Sequence, residues 1–170
     1  AAPARCTKPV IAANHGYCFG VGFEISLACD FRIAAESTLY ALPEQKLGQI
    51  PGSGGSARLQ KMVGITRTKD IVMRSRRIKG QQAYEWGVAT ECVPDSELAS
   101  AVSKLVDELR AFSPLAQRTA KKMLNETEDC LLTTAIEVEG HCYSRLRNSD
   151  DFKEGVEAFH GKRQPNFVGY

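Results

Sequence analysis

The run Gly16-Tyr-Cys-Phe-Gly-Val-Gly-Phe-Glu-Ile-Ser-Leu-Ala-Cys-Asp30 constrains the fold more than any other stretch of the chain. Before it, Pro9-Val-Ile-Ala-Ala13 is a short apolar run of the kind a buried strand shows. Gly16, Gly20 and Gly22 then interrupt the pattern, allowing tight turns and close approach of main-chain N–H groups to a ligand. From Gly22 onward, Phe23, Ile25, Leu27, Ala28 and Cys29 fit a buried helix. A strand passing through a glycine turn into a helix leaves several N–H groups without intrahelical partners, a setting for an anion or a developing oxyanion. Glu24 falls in that first turn, where its charge also suits the helix dipole.

The same alternation of strand and helix continues. Phe31-Arg-Ile-Ala34 and Thr38-Leu-Tyr-Ala41 read as short strands. Pro43 ends the second and introduces Glu44. Gly48-Gln-Ile-Pro-Gly-Ser-Gly-Gly55 is too rich in glycine and proline for regular structure. Ser53 or Ser56 is the expected cap of a helix turning Leu59, Met62 and Val63 inward, and a second helix is expected over about 66–74. Gly80–Gly87 reads as a short helix closed by Gly87 and followed by a strand over Val88–Val93. From Asp95 the pattern becomes wholly helical. Leu98, Val102, Leu105, Val106, Leu109 and Phe112 recur at spacings of three and four. Ser113-Pro114 caps and starts the next helix, Ile136, Cys142, Tyr143 and Leu146 mark another, and Phe152, Val156 and Phe159 the last. The predicted class is α/β, with residues 1–94 as a mixed core carrying the active site and 95–170 as a helical region.

Composition excludes several function classes. At 43% hydrophobic and 25% charged, the 170 residues have an ordinary globular balance and length enough for a real core. A net charge of +2 argues against a dedicated nucleic-acid binder. No run is long and apolar enough to span a membrane, and the first residues lack the apolar segment of a signal peptide. Cys6, Cys18, Cys29, Cys92, Cys130 and Cys142 include no C-x-x-C pair and fit buried free thiols in a reducing compartment, cytosolic or organellar matrix. His15, His141 and His160 lack metal-ligand spacing, so no metal is expected. No Ser has glycines at both second neighbours. Gly52-x-Gly54-x-x-Ala57 follows a loop where a dinucleotide motif follows a strand. The basic run Arg67, Lys69, Arg74, Arg76, Arg77 and Lys79 reads as a solvated face.

Glu24 and Glu44, twenty residues apart, each adjoin a glycine loop. Two carboxylates in one partly desolvated site need not titrate together, which supplies one general base and one general acid. With a glycine-turn N–H, these are the parts for proton chemistry beside a carbonyl.

Asn14–Ala34 and Leu42–Gly55 resemble the two signature blocks of the crotonase (enoyl-CoA hydratase/isomerase) superfamily, and Glu154-Gly-Val-Glu-Ala-Phe-His-Gly-Lys-Arg163 resembles its last helix. The similarity runs from Lys8 to Phe167. The resemblance implies a crotonase-like ββα spiral followed by a helical trimerisation region, assembled as a homotrimer or a dimer of trimers. It implies an acyl-CoA substrate, with coenzyme A entering as part of the substrate and no tightly bound cofactor. Glu44 matches the acid that exchanges the α-carbon proton, Glu24 the one that activates water, and Gly52 a loop glycine beside that water. Val21 stands where the family commonly has the glycine whose N–H faces the oxyanion, and its β-branched side chain narrows the acyl pocket. Phe159 and Lys162 match residues that approach the adenine end of coenzyme A, often from the neighbouring subunit. The family's front part, with the other oxyanion N–H, is expected to be absent from this chain, left to a missing N-terminal segment or a separate chain. The implied activity is addition of water to a 2-enoyl-CoA thioester. An isomerase of the same superfamily is the near alternative, and a non-catalytic scaffold module with a decayed site the distant one.

Overall fold

The computed structural model describes residues 2–170. The chain divides into two compact units, one holding residues up to Cys6 together with Val10–Lys104, the other Thr7–Pro9 and Leu105–Tyr170.

In the first unit a short helix α1 (Ala2–Arg5) precedes β1 (Ile11–Asn14), β2 (Tyr17–Phe19) and α2 (Val21–Leu27). The pattern repeats with β3 (Phe31–Ala35), β4 (Leu39–Ala41), a 3-10 turn (Glu44–Leu47) and α3 (Gly55–Met73). Then come β5 (Ile78–Lys79), α4 (Gly80–Glu85), β6 (Glu91–Val93) and a second 3-10 turn (Asp95–Glu97) leading into α5 (Leu98–Arg110). The first four strands alternate between two sheets. One sheet has the order β1-β3-β6, all parallel, with Ile11 opposite Phe31 and Ile33 opposite Glu91. The other runs β2-β4-β5, with Tyr17 opposite Leu39 in parallel and β5 antiparallel to β4. Each ββα pass therefore adds a strand to both sheets, which is the expected spiral.

Its core is built from the apolar positions of these passes. Phe23 and Tyr40 pack in a tilted pair with ring centroids 4.9 Å apart, among buried Leu27, Leu42, Leu59, Ile71, Ile78 and Val88. Each such side chain contributes about 1.5–3 kcal/mol by leaving water.

Several local expectations need correction. The glycine turn contains a strand, β2. The strand expected over Val88–Val93 is confined to Glu91–Val93, because Val88 and Ala89 instead bond back to the Ala83 carbonyl and close α4. The two helices expected on either side of residue 65 form one segment broken at Gly64, whose φ of 78° and ψ of 167° lie outside helical space. Neither Ser53 nor Ser56 caps α3: the cap position is Gly54, and no side chain of its own bonds there. Arg32, the charged residue of β3, is 6% exposed. Of the six thiols, all free, Cys18 and Cys29 are buried but Cys6 and Cys130 are exposed.

In the second unit, α6 (Pro114–Thr127), α7 (Leu132–Leu146) and α8 (Asp150–His160) follow α5, and α6 packs on α7. Ser113 caps α6 as expected, accepting from the Ala116 N–H at 3.1 Å with Pro114 at the first helical position. Ser149 does the same for α8 through Phe152. Asp151, 3% exposed, fastens the C-terminal segment by accepting from the Val168 and Gly169 N–H groups at 2.7 and 3.0 Å and from Ser113 Oγ. Many apolar side chains remain outside, among them Leu131, Leu132, Ile136 and Tyr143. Among the described residues no helix is long and apolar enough to cross a membrane.

Candidate active site

The site starts from the short helix α2, which is held at both ends. Its cap, Gly20, takes φ 53° and donates to the Ala41 carbonyl at 3.0 Å. At the other end Arg32 reaches into the core, where its Nη1 donates to the Ser26 and Cys29 carbonyls at 3.2 and 2.5 Å and its Nε to the Val88 carbonyl at 2.5 Å. Burial lowers the Arg32 value from its ordinary level, partly offset by Cys29, Tyr40 and Asp30. The carbonyl end of a helix is where a cation belongs. Asn14 adds a side anchor: its Oδ1 accepts from Ser26 Oγ at 2.9 Å and from the Tyr40 hydroxyl at 3.0 Å.

Glu24, in the first turn of this fixed helix, is 2% exposed. One oxygen, Oε1, accepts from the Ser53 N–H at 2.7 Å and the Gly55 N–H at 2.9 Å. The first N–H of α3 and the N–H of Ser53 in the loop before it are thus held by a carboxylate from α2. The approach demands a glycine: a Cβ on residue 55 would lie 2.7 Å from Glu24 Cγ.

Glu44 opens the 3-10 turn. A Cβ on Gly20 would lie 2.9 Å from its Oε1, so Gly20 serves both the left-handed turn and the room for this carboxylate. Glu44 Oε2 is buried and has no hydrogen-bond partner among the described residues. A buried carboxylate oxygen left this way is costly unless a further group meets it.

The structure gathers the two loops of the sequence motif around these acids. Val21, the first residue of α2, is 60% exposed, and its N–H makes no hydrogen bond within the described residues. Gly52 lies exposed in the loop directly before Ser53. Phe159 and Lys162 belong to the second unit. Phe159 is 81% exposed at the end of α8 with His160 edge-on to its ring, and Lys162 takes φ 51° in the turn beyond. Asn14 and Arg32, which set α2, escaped the sequence reading. An arginine inside an otherwise apolar strand, five residues past the end of α2, was the available signal for the second.

Other titratable groups are more peripheral. Burial pushes the Cys18 thiol up to about 11. No group of three or more His, Cys, Asp or Glu side chains is placed to hold a metal ion among the described residues. The basic residues from Arg67 to Lys79 are exposed, with Asp70 pairing both Arg74 and Arg76.

A ββα spiral that brings two acids to two glycine loops defines the class, and comparison with known proteins agrees. The chain belongs to the enoyl-CoA hydratase/isomerase family, whose model matches residues 3–169. The match runs over nearly the whole chain, so the expected absence of a front part is not borne out by it. Among curated relatives, a probable mitochondrial enoyl-CoA hydratase of Arabidopsis thaliana is 37% identical over 95% of this chain and 54% of its own length. A carnitinyl-CoA dehydratase of Salmonella paratyphi B is 39% identical over 95% of this chain and 64% of its own. The crystal structure of an enoyl-CoA hydratase from Bacillus anthracis superposes with a TM-score of 0.96 at 37% identity, covering 99% of this chain and 65% of that one. The chain thus spans between about half and two thirds of the length of these relatives. The crotonase fold with a helical C-terminal region follows from this likeness.

Proposed function

We propose that the protein adds water across the double bond of a 2-enoyl-CoA thioester. The observation that carries this reading is the pair of acids, each given room by a glycine: Glu24 against Gly55 and Glu44 against Gly20. Glu24 uses one oxygen to hold the α3 loop, which leaves the other to accept a proton from water beside Gly52. The oxygen of that water bonds to the β-carbon as Glu24 takes the proton. The thioester oxygen becomes enolate-like, and the Val21 N–H donates to it. Loss of one such donor costs on the order of 3 kcal/mol in other enzymes. Glu44 then delivers its proton to the α-carbon, and exchange with solvent returns the two acids to their starting states. The unpartnered Glu44 Oε2 suits a group whose partner is the substrate.

Coenzyme A enters as part of the substrate, with no tightly bound cofactor, and Phe159 and Lys162 receive its nucleotide end. The exposed apolar side chains of α6 and α7 support assembly into a trimer or a dimer of trimers. A reducing compartment, cytoplasm or organellar matrix, suits the six free thiols. Two acids in place favour hydration over isomerisation. The test is hydration of crotonyl-CoA by the full-length protein, followed as loss of the enoyl-thioester absorbance. Steady loss with formation of the 3-hydroxyacyl product supports the reading. Double-bond migration without water addition points to the isomerase, and no conversion overturns both.

A further inference from the structure

The chain leaves α8 through a turn with an unusual occupant. The Lys162 N–H donates to the Phe159 carbonyl at 3.3 Å and the Arg163 N–H to the Ala158 carbonyl at 3.1 Å. These are the two bonds of a Schellman closure, and Lys162 sits at its left-handed position with φ 51°. Glycine is favoured there, because any Cβ crowds the following carbonyl. A glycine is at hand, but one residue early: Gly161, at φ −76°, keeps an ordinary right-handed conformation. The turn is braced from outside. Arg163 Nη1 and Nη2 donate to Glu154 Oε1 and Oε2 at 2.6 and 2.8 Å, and the Asn166 N–H donates to Glu154 Oε1 at 2.6 Å. A bidentate fork of this kind fixes orientation as well as distance. It also occupies the charge of Arg163. The adjacent Lys162 ammonium is exposed and makes no hydrogen bond or ion pair among the described residues.

We propose that Glu154 is a positioning residue: its fork to Arg163 holds the backbone that keeps Lys162 left-handed and so presents the Lys162 ammonium to the phosphates at the nucleotide end of coenzyme A. This rests on the coenzyme A thioester reading above. A turn that served only to end the helix would be better made with glycine at 162. The lysine is retained against backbone preference, and the clamp compensates for it.

The test uses the full-length protein with coenzyme A, crotonyl-CoA and crotonyl-pantetheine, the last lacking the nucleotide. Glu154→Gln breaks the charged fork. Its Kd for coenzyme A and its KM for crotonyl-CoA are expected to rise about tenfold, the scale of one charge-assisted contact. Its kcat, and its kinetics on crotonyl-pantetheine, stay as in the wild type. Lys162→Gly gives opposite signs in two readouts: a higher Tm and weaker coenzyme A binding. Unchanged coenzyme A affinity in either variant overturns the inference. So does an equal loss on crotonyl-pantetheine, which marks a general structural role, or a wild-type protein that binds no coenzyme A. Because binding is read without turnover, a wild type that binds coenzyme A through Lys162 but hydrates nothing overturns the hydratase reading alone. Normal hydration with unchanged binding by Glu154→Gln overturns the positioning role alone.

Discussion

Glu24 caps the helix that begins at Gly55, with its Oε1 2.9 Å from the Gly55 nitrogen and no room for a Cβ between them. A residue in the first turn of one helix therefore satisfies the first turn of another. The same carboxylate joins α2 to the loop that carries Gly52, so the acid proposed to activate water also fixes the loop beside that water.

This double role separates two substitutions. Glu24→Gln keeps an oxygen that accepts from the Ser53 and Gly55 N–H groups, so the fold and Tm should hold while kcat falls at least about 100-fold, the scale of lost acid–base catalysis. Glu44→Gln should give a similar loss. Glu24→Ala removes the cap as well and should cost about 1–3 kcal/mol of stability, because the Gly55 helix N–H and the Ser53 loop N–H both lose their acceptor. Turnover near that of the wild type in both Gln variants would remove the two-acid mechanism.

Val21 bears on substrate size. Its side chain is 60% exposed at the head of α2, beside the N–H proposed to face the thioester oxygen. Val21→Gly keeps that N–H and removes the branched side chain. Branched and bulky acyl groups should gain in kcat/KM relative to crotonyl, measured across a set of acyl-CoA substrates. An unchanged acyl profile would show that Val21 does not line the pocket.

The parts of the fold that were legible in the sequence are those governed by periodicity and local chemistry. Leu98 to Leu109 fixed α5 by spacing, and Ser113-Pro114 marked the start of α6 because capping needs only neighbours in sequence. What escaped depends on partners far along the chain. β2 is three residues between glycines and exists only through pairing with β4. β5 is two residues long and is defined by its antiparallel partner. The cap of α3 comes from Glu24, about thirty residues earlier, so a local serine is not the acceptor there. Arg32 is a polar residue in a strand whose place the sequence leaves open, and the three carbonyls that accept from it come from Ser26, Cys29 and the distant Val88. For the site, the acids could be singled out by their glycine loops, whereas the close contacts that require Gly20 and Gly55 are visible only in three dimensions.

The thiols offer a check on the packing of the first unit. Cys6 and Cys130 are exposed, whereas Cys18 is buried and its thiol is pushed up to about 11 by that burial. The thiolate is the reactive form, so at pH 8 Cys18 is both shielded and protonated. Iodoacetamide should label Cys6 and Cys130 in the native protein and reach Cys18 only after denaturation, as read by peptide mass analysis. Rapid native labelling of Cys18 would contradict the placement of β2 in the core.

The C-terminal segment should hold on into acid. The Arg163 fork and the Asn166 N–H bring the Glu154 carboxyl from 4.5 down to about 2. Burial raises Asp151, but the Ser113 hydroxyl and the Gly169 and Val168 N–H groups outweigh it and leave it below 3.8. Both groups bind protons less readily folded than unfolded. Their stabilisation is therefore complete above the ordinary carboxylate values and is lost as pH falls through the folded ones. The amide resonances of Asn166, Val168 and Gly169 should stay in place from pH 7 to about 4.5, then shift as the pH approaches 2. Salt should weaken the exposed Glu154 pair more than the Asp151 bonds, since only the first is open to screening. A transition of these amides near pH 6 would show that other groups hold the segment.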